Sequence, residues 1–392
     1  MNALRPYQLE DVQAAIEAWR DHDSVLGVAA TGLGKAVVIA ELVKRAVAER
    51  KRVLVIADMA LLVAQLAKTI EWWTGIKPGI EMGDRRADPW FGEPPPVVCA
   101  TVQTLYSGQP GQERYRSWKP DTFGLVVADE AEAYIAPVFR APLDYFKSGG
   151  AKIFGCTATP TRTDGKAMAQ VFEHVAFNRD IRWGVEQGYL VPPRNVDVSV
   201  DLDFSSLKAA RHGDYSDAAV ARLMESEQEL MALALGVVRI SGDMRTIVIG
   251  PKVETAQKIA AYINSHRADA AETIHGGIAD ESERRRLFDG HKGGAFQYLC
   301  SVNMLTKGYD DAGARVVAIC RPTRSLRLFA QMMGRALRLS DPAIGSLPDA
   351  DARRDAIARS DKPYAVVAPM VGVDANVLDL NAVDILGGDM TP

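Results

Sequence analysis

Residues Ala30-Thr31-Gly32-Leu33-Gly34-Lys35-Ala36 follow the apolar run Val25 to Ala29 and open an apolar helical pattern. Glycines at such a turn let consecutive backbone N–H groups point into an anion site at a helix N-terminus, and the lysine adds a point charge for outer phosphates. Ala36 stands where such a loop places a Ser or Thr hydroxyl on Mg²⁺, so one metal ligand is missing. Taken alone, a Gly-rich loop also serves as a plain tight turn. Two further clusters decide the reading. Leu125 to Ala128 is an apolar strand run ending in Asp129 and Glu130. A parallel strand buried on both faces reads as continuous apolar residues, and its sheet collects ligands at the strand carboxyl ends. Asp129 there is expected to hold Mg²⁺ and Glu130 to orient an attacking water; standing alone, the same pair would serve as helix-capping acids. Gln331 to Arg338 sets Arg335 and Arg338 three apart, a spacing that shares one helical face. Permanently charged, planar guanidinium groups suit polyphosphate. With the other two clusters they read as arginine fingers delivered by a second domain.

Apolar strand-like runs alternate with helical patterns twice along the chain. Val53 to Ile56, Val97 to Ala100, Leu125 to Ala128 and Lys152 to Cys156 form the first series. Thr246 to Ile249, Thr273 to His275, Gln297 to Val302, Val316 to Ile319 and Tyr364 to Ala368 form the second. Such alternation predicts an α/β fold, parallel sheets with helices on both faces. Between the series, the prolines Pro192-Pro193 and a polar tail through His212-Gly213-Asp214 mark a change of character. The expected division is therefore a first domain over 1–188, a linker over 189–216 and a second domain over 217–392. The acidic, Ala-rich stretch Asp341 to Asp361 reads as a surface insertion with a short helix, without an assigned role. Trp72-Trp73 is expected to close the helix Ala60 to Trp73 onto the sheet, as aromatics commonly serve a core, with base stacking as the alternative.

With 392 residues and 47% hydrophobic content the chain can build two cores. No apolar stretch is long enough to span a bilayer, and Met1 to Pro6 lacks the basic-then-apolar layout of a secretory signal. A cytoplasmic protein without membrane contact is expected. Cys99, Cys156, Cys300 and Cys320 lie far apart in apolar contexts, which reads as small core residues rather than a zinc site or disulfide framework. The net charge of −4 excludes a broadly basic nucleic-acid binder and requires any groove to be local. Lys307, Arg321, Arg324 and Arg327 are candidates for it; Arg284-Arg285-Arg286 is either a second basic patch or a solvated helix face.

The order of these motifs resembles the superfamily 2 helicases and translocases over nearly the whole chain, and among them the RadD-like bacterial and phage helicases, through Gly188 to Pro193 and Arg321-Pro322-Thr323. The resemblance implies two tandem RecA-like domains with ATP and Mg²⁺ between them. Arg5 and Gln8 would read adenine, while Thr31, Gly32, Leu33, Gly34, Lys35 and Ala36 would line the phosphates. Asp129-Glu130 matches the metal and water site, Thr101 to Leu105 a backbone-touching motif in which Gln103 and Thr104 meet nucleic acid, and Thr157 to Pro160 a coupling motif built on Thr157 and Thr159. Leu305 to Asp310 matches a second-domain motif in which Thr306 and Lys307 face nucleic acid and Gly308 and Asp310 face nucleotide. Gln331, Arg335 and Arg338 match the finger motif. The chain departs from the pattern at Ala36, at Glu132 (usually His or Asp, here a partner for Gln331), at the apolar Ala60 and Leu61, and at Lys307 (often Glu). The implied function is ATP-dependent translocation along, or unwinding of, single-stranded or forked DNA by a monomer, with a nuclease or a repair or replication factor as possible company. Two alternatives stay open: an ATP-binding nucleic-acid clamp with little turnover, and the motor subunit of a restriction or defence complex.

Overall fold

A computed structural model of the chain describes residues 3–371 apart from 89–91, 159–167, 197–214, 217–218, 221, 223, 225, 279, 303–310 and 324. The chain divides into two compact units, Met1–Asp180 and Ile181–Pro392. The first carries β1 (Ser24–Ala29), β2 (Val53–Ala57), β3 (Gly79–Glu81), β4 (Val97–Thr101), β5 (Leu125–Asp129), β6 (Lys152–Thr157) and β7 (His174–Arg179). They form one sheet in the order β3-β4-β2-β5-β6-β1-β7, every pair parallel. The central strands β1, β2, β4 and β5 are buried at every position. This is the burial their unbroken apolar runs require, because helices cover a parallel sheet on both faces. Around it lie α1 (Pro6–Ala18), α2 (Lys35–Ala48), α3 (Ala60–Thr74), α4 (Val102–Tyr106) and α5 (Pro137–Ser148). Phe123 meets both Trp118 and Phe146 edge to face, at 5.2 and 5.1 Å between ring centroids. Such pairs add about 0.5–1.5 kcal/mol each beyond area burial.

In the second unit, α6 (Ile181–Glu186) and β8 (Pro193–Asn195) precede α7 (Glu227–Ser241), β9 (Thr246–Gly250), α8 (Val253–His266), β10 (Ala271–Ile274), α9 (Glu281–Gly293), β11 (Tyr298–Val302) and β12 (Val316–Ile319). α10 (Leu326–Met333), α11 (Ala350–Arg359) and β13 (Ala365–Pro369) follow. Its sheet runs β10-β11-β9-β12-β13-β8, again all parallel. Residues 193–195, within the stretch read as linker, thus lie in this sheet, and Tyr189, Leu190 and Val191 are buried. Buried His291 shares a 3.0 Å contact with Asp311, whose carboxyl is held down at about 2 by the His291 hydrogen bond and charge and by Arg245, against the upward push of burial.

β3, β7 and β8 escaped the sequence reading. β3 and β8 are three residues each and β7 is half exposed, so none shows a continuous apolar run. Trp72 also departs from expectation, being 62% exposed. The buried positions of α3 are Leu62, Val63, Leu66 and Ile70, a phase that turns position 72 to solvent and brings Trp73 near α2, where its indole donates to Glu41 at 2.8 Å. Arg285 and Arg286 are exposed and paired along their own helix with Glu281 and Glu283, as a solvated face would be.

One buried ion pair ties α1 to the sheet. Arg179, the last residue of β7, donates to Asp11 at 2.9 Å and to Glu10 at 2.9 Å. Burial pushes the Asp11 carboxyl up to about 6, against the pull of Arg179. The folded state then binds a proton that the unfolded chain releases near 3.8, so this group's contribution to stability is lost as pH rises through about 6. Asp11→Asn removes that titration. Its unfolding free energy relative to the parent should therefore move in the variant's favour between about pH 4 and about pH 7, measured by urea denaturation at each. A difference that stays constant would contradict this account of Asp11.

Candidate functional site

All strands of the first sheet point the same way, so the residues that leave β1, β4, β5 and β6 collect along one edge. The strand order sets β6 between β5 and β1, placing Thr157 between Asp129 and the loop that begins at Ala30. That loop is shaped by backbone as much as by side chains. Gly34 caps α2 with φ 76°, ψ 35°, a left-handed conformation that costs an ordinary residue strain. A Cβ there would lie 2.6 Å from Gln8 Nε2. The first turn of α2, Lys35 and Ala36, then presents N–H groups with no intrahelical acceptor, an anion site by construction.

Lys35 reaches back to the acids, its Nζ 3.9 Å from Glu130 Oε1. Burial alone would push the amine down, but Glu130 and Asp129 more than offset this and hold it above the ordinary lysine range. Burial conversely raises the Asp129 carboxyl to about 6; the Lys35 charge pulls it down and Glu130 adds to the rise. Glu130 itself has φ 52°, ψ 59°. Left-handed backbone at a non-glycine residue costs about 1–3 kcal/mol, and here it turns the chain at the strand end so that consecutive carboxylates both stay at the sheet edge. Glu132 accepts a 2.8 Å hydrogen bond from the Thr157 hydroxyl, joining the ends of β5 and β6.

The other expected residues of this unit fall around that edge. Gln8 accepts from the Arg5 amide at 3.0 Å and donates to the Leu33 carbonyl at 3.4 Å. Tyr7, which sequence reasoning passed over, donates to the same carbonyl at 2.6 Å. Its only sequence signal was its place beside Gln8. Gln103 is exposed and donates to the Asp58 carbonyl at 2.9 Å. Thr104 is buried; its hydroxyl accepts from Thr101 at 2.8 Å and from the Gly83 amide at 3.1 Å. Thr159, Thr306, Lys307, Gly308, Asp310 and Arg324 lie outside the described residues.

In the second unit, Arg321 and Thr323 are buried after β12, and Ser325 caps α10 by accepting from Leu328 N at 3.2 Å. Gln331 sits buried on α10. The expectation that Arg335 and Arg338 share a helical face is corrected here. α10 stops at Met333 with Gly334 as its cap, so Arg335 lies in a turn and Arg338 in extended backbone bridged antiparallel to Leu190. Gly334 keeps right-handed backbone (φ −58°, ψ −16°), and glycine's low helix propensity favours an end there. Burial pushes the Arg338 guanidinium down to about 10, so it stays charged at neutral pH.

The donor set also bears on a metal. Among the described residues no group of three or more His, Cys, Asp or Glu is arranged to hold one unaided. Mg²⁺ is commonly bound by one or two carboxylates completed by substrate phosphates and waters, and Asp129 beside an anion-binding loop suits that mode.

Fold and site together define a tandem RecA-like core of helicase type. Residues 2–162 match the family described as type III restriction enzyme, res subunit, and residues 227–340 match the helicase conserved C-terminal domain. The chain therefore carries both domains of the superfamily 2 helicase fold. A Saccharomyces cerevisiae protein provisionally named ATP-dependent helicase IRC3 is 25% identical over 352 residues, 86% of this chain and 49% of that protein. The chain thus spans about half the length of this relative. Among solved structures, the ATP-dependent type ISP restriction-modification enzyme LlaBIII bound to DNA superposes with a TM-score of 0.65 at 15% identity, covering 99% of this chain and 33% of that one. S. cerevisiae Dbp5 bound to RNA and ADP BeF3 gives 0.62 at 14% identity, with 99% and 93% covered. These likenesses establish the fold.

Ala36 offers a backbone N–H to a phosphate but no oxygen to a metal. Ala36→Thr should lower the Mg²⁺ concentration for half-maximal nucleotide hydrolysis, read by titrating Mg²⁺ at fixed nucleotide for both proteins. Superimposable curves would show that position 36 is neutral and that another ligand serves.

Proposed function

We propose that this chain is the motor core of an ATP-dependent nucleic-acid helicase or translocase. One observation carries the reading: a largely buried lysine at a helix N-terminus lies 3.9 Å from Glu130, beside Asp129, at the same sheet edge. ATP would seat its phosphates on the amides of Thr31 to Ala36 and on Lys35, with Arg5 and Gln8 on the side toward the base. Asp129 would hold Mg²⁺, which when bound screens the β- and γ-phosphate oxygens. Glu130 orients the attacking water and accepts its proton. Gln331, Arg335 and Arg338 would stabilise charge on the transferring group, and Gly308 and Asp310 would contact the nucleotide. Thr157, bonded to Glu132, and Thr159 couple the state of the site to movement along a strand contacted by Gln103, Thr104, Thr306 and Lys307.

The polymer we propose is DNA, single-stranded or forked, and the working form a cytoplasmic monomer. The likeness to DNA-bound LlaBIII supports the first. Among the described residues no helix is long and apolar enough to cross a membrane. A second reading, the motor of a restriction or defence complex, is favoured by the res-subunit match over 2–162. Co-purification with a nuclease subunit would support it.

The deciding experiment is ATP turnover with and without single-stranded DNA, forked duplex and RNA. Stimulation by DNA is expected; a chain that binds ATP and DNA without turnover would be a clamp instead. Glu130→Gln should keep ATP affinity and lose hydrolysis, since an amide cannot take a proton. Arg338→Ala should spare nucleotide affinity and lose about 10³ to 10⁵ in rate, the worth of an arginine finger. Parent-like hydrolysis by either variant at saturating ATP and DNA would remove that residue from the site.

A further inference from the structure

The stretch Asp341 to Asp361 found no role in the sequence, yet α11 within it carries a guanidinium that is only 5% exposed. Arg353 Nε donates to the Gln187 carbonyl at 2.7 Å and Nη1 to the Leu347 carbonyl at 2.8 Å. Its guanidinium carbon stands 4.2 Å from the centre of the Tyr189 ring, which itself stacks on Trp183 at 5.7 Å. Neighbouring Arg354 donates to the Glu186 carbonyl. The approach is close enough to dictate a glycine: Gly188 has φ 67°, and a Cβ there would meet Arg353 Cβ at 2.6 Å. Two arginines of one helix thus hold the backbone of residues 186–189 from one side.

What that segment holds in turn is the finger motif. Leu190 is bridged antiparallel to Arg338, and Val191 N donates to the Leu337 carbonyl at 2.8 Å. A planar fork stacked on an aromatic ring fixes two carbonyls and a ring in one geometry, which neither a lysine nor an apolar residue reproduces. The arrangement also explains why a charge is buried here at all, since removing it leaves two carbonyls to be satisfied elsewhere.

We propose that Arg353 is a positioning residue for Arg338: α11 clamps residues 187–191, and the clamp sets where the Arg338 backbone lies. This rests on Arg338 acting on the γ-phosphate as described above. Misplacement of a catalytic group by about 1 Å costs about 10²-fold in rate. Arg353→Ala should therefore lower kcat by about that factor with nucleotide Kd unchanged, Arg353→Lys should recover only part of it, and in an Arg338→Ala background Arg353→Ala should add no further loss. Amide hydrogen exchange on the intact chain supplies a readout that needs no turnover. Arg353→Ala should speed exchange over residues 187–191 and 337–339 and leave residues 30–40 as in the parent. A parent that turns over no ATP would overturn the proposed function, while the exchange arm would still judge the clamp. Unchanged kcat and exchange in Arg353→Ala, or an equal proportional loss with and without Arg338, would overturn the positioning role. If Arg353→Ala does not fold, Arg353→Lys with parent-like exchange and kcat would overturn it as well.

Discussion

The first unit is organised around a cation that burial disfavours. The Lys35 ammonium is largely withdrawn from water at the start of α2, and the carboxylates at the end of β5, with Glu132 behind them, offset the effect of that burial. Asp129 in turn is raised by burial and would rise further without the lysine. Neither partner is affordable alone in a low-dielectric site. The fold must therefore hold β5 and the start of α2 in fixed register, and it does so through β6, hydrogen-bonded to β5 and β1 on either side. The left-handed turn at Glu130 and the Gly34 cap are the local conformations that this register demands.

Much of this was legible in the sequence because the burial pattern of a parallel sheet is written directly into it. Val53 to Ile56, Leu125 to Ala128 and Val316 to Ile319 are uninterrupted apolar runs and all are strands. The turn into α2 was legible through Gly32 and Gly34, both of which have positive φ, and through Lys35 at the first position of the helix. The edge strands β3, β7 and β8 were not, for β7 reads His-Val-Ala-Phe-Asn-Arg with exposed and half-exposed positions along it. Nor was the extended backbone at Arg338. Spacing of three matches a helix, but where a helix ends is decided by the capping residue and by pairing with a distant segment, here Leu190. Tyr7 and Arg353 were illegible for the same reason: each acts on a backbone carbonyl brought near only by the fold.

Ala36 and the second unit bear on how the parts divide the work. In the proposed function, a loop that keeps its amides and its lysine but lacks the hydroxyl separates phosphate binding from metal binding, which would fall to Asp129. In the second unit the residues of the finger motif are set partly by α10 and partly by the segment 186–191, itself fixed by α11. An acidic surface stretch thereby becomes part of the support for an arginine.

The central claim is that the Lys35 charge at the start of α2 makes this sheet edge a phosphate site. Titration of a fluorescent ATP analogue into the parent and into Lys35→Met tests it most directly, with the thermal midpoints of both recorded. A charged hydrogen bond contributes about 1.5–3 kcal/mol, so the account predicts at least a tenfold (~1.4 kcal/mol) loss of affinity in a folded variant. Equal affinity in the two proteins would contradict it.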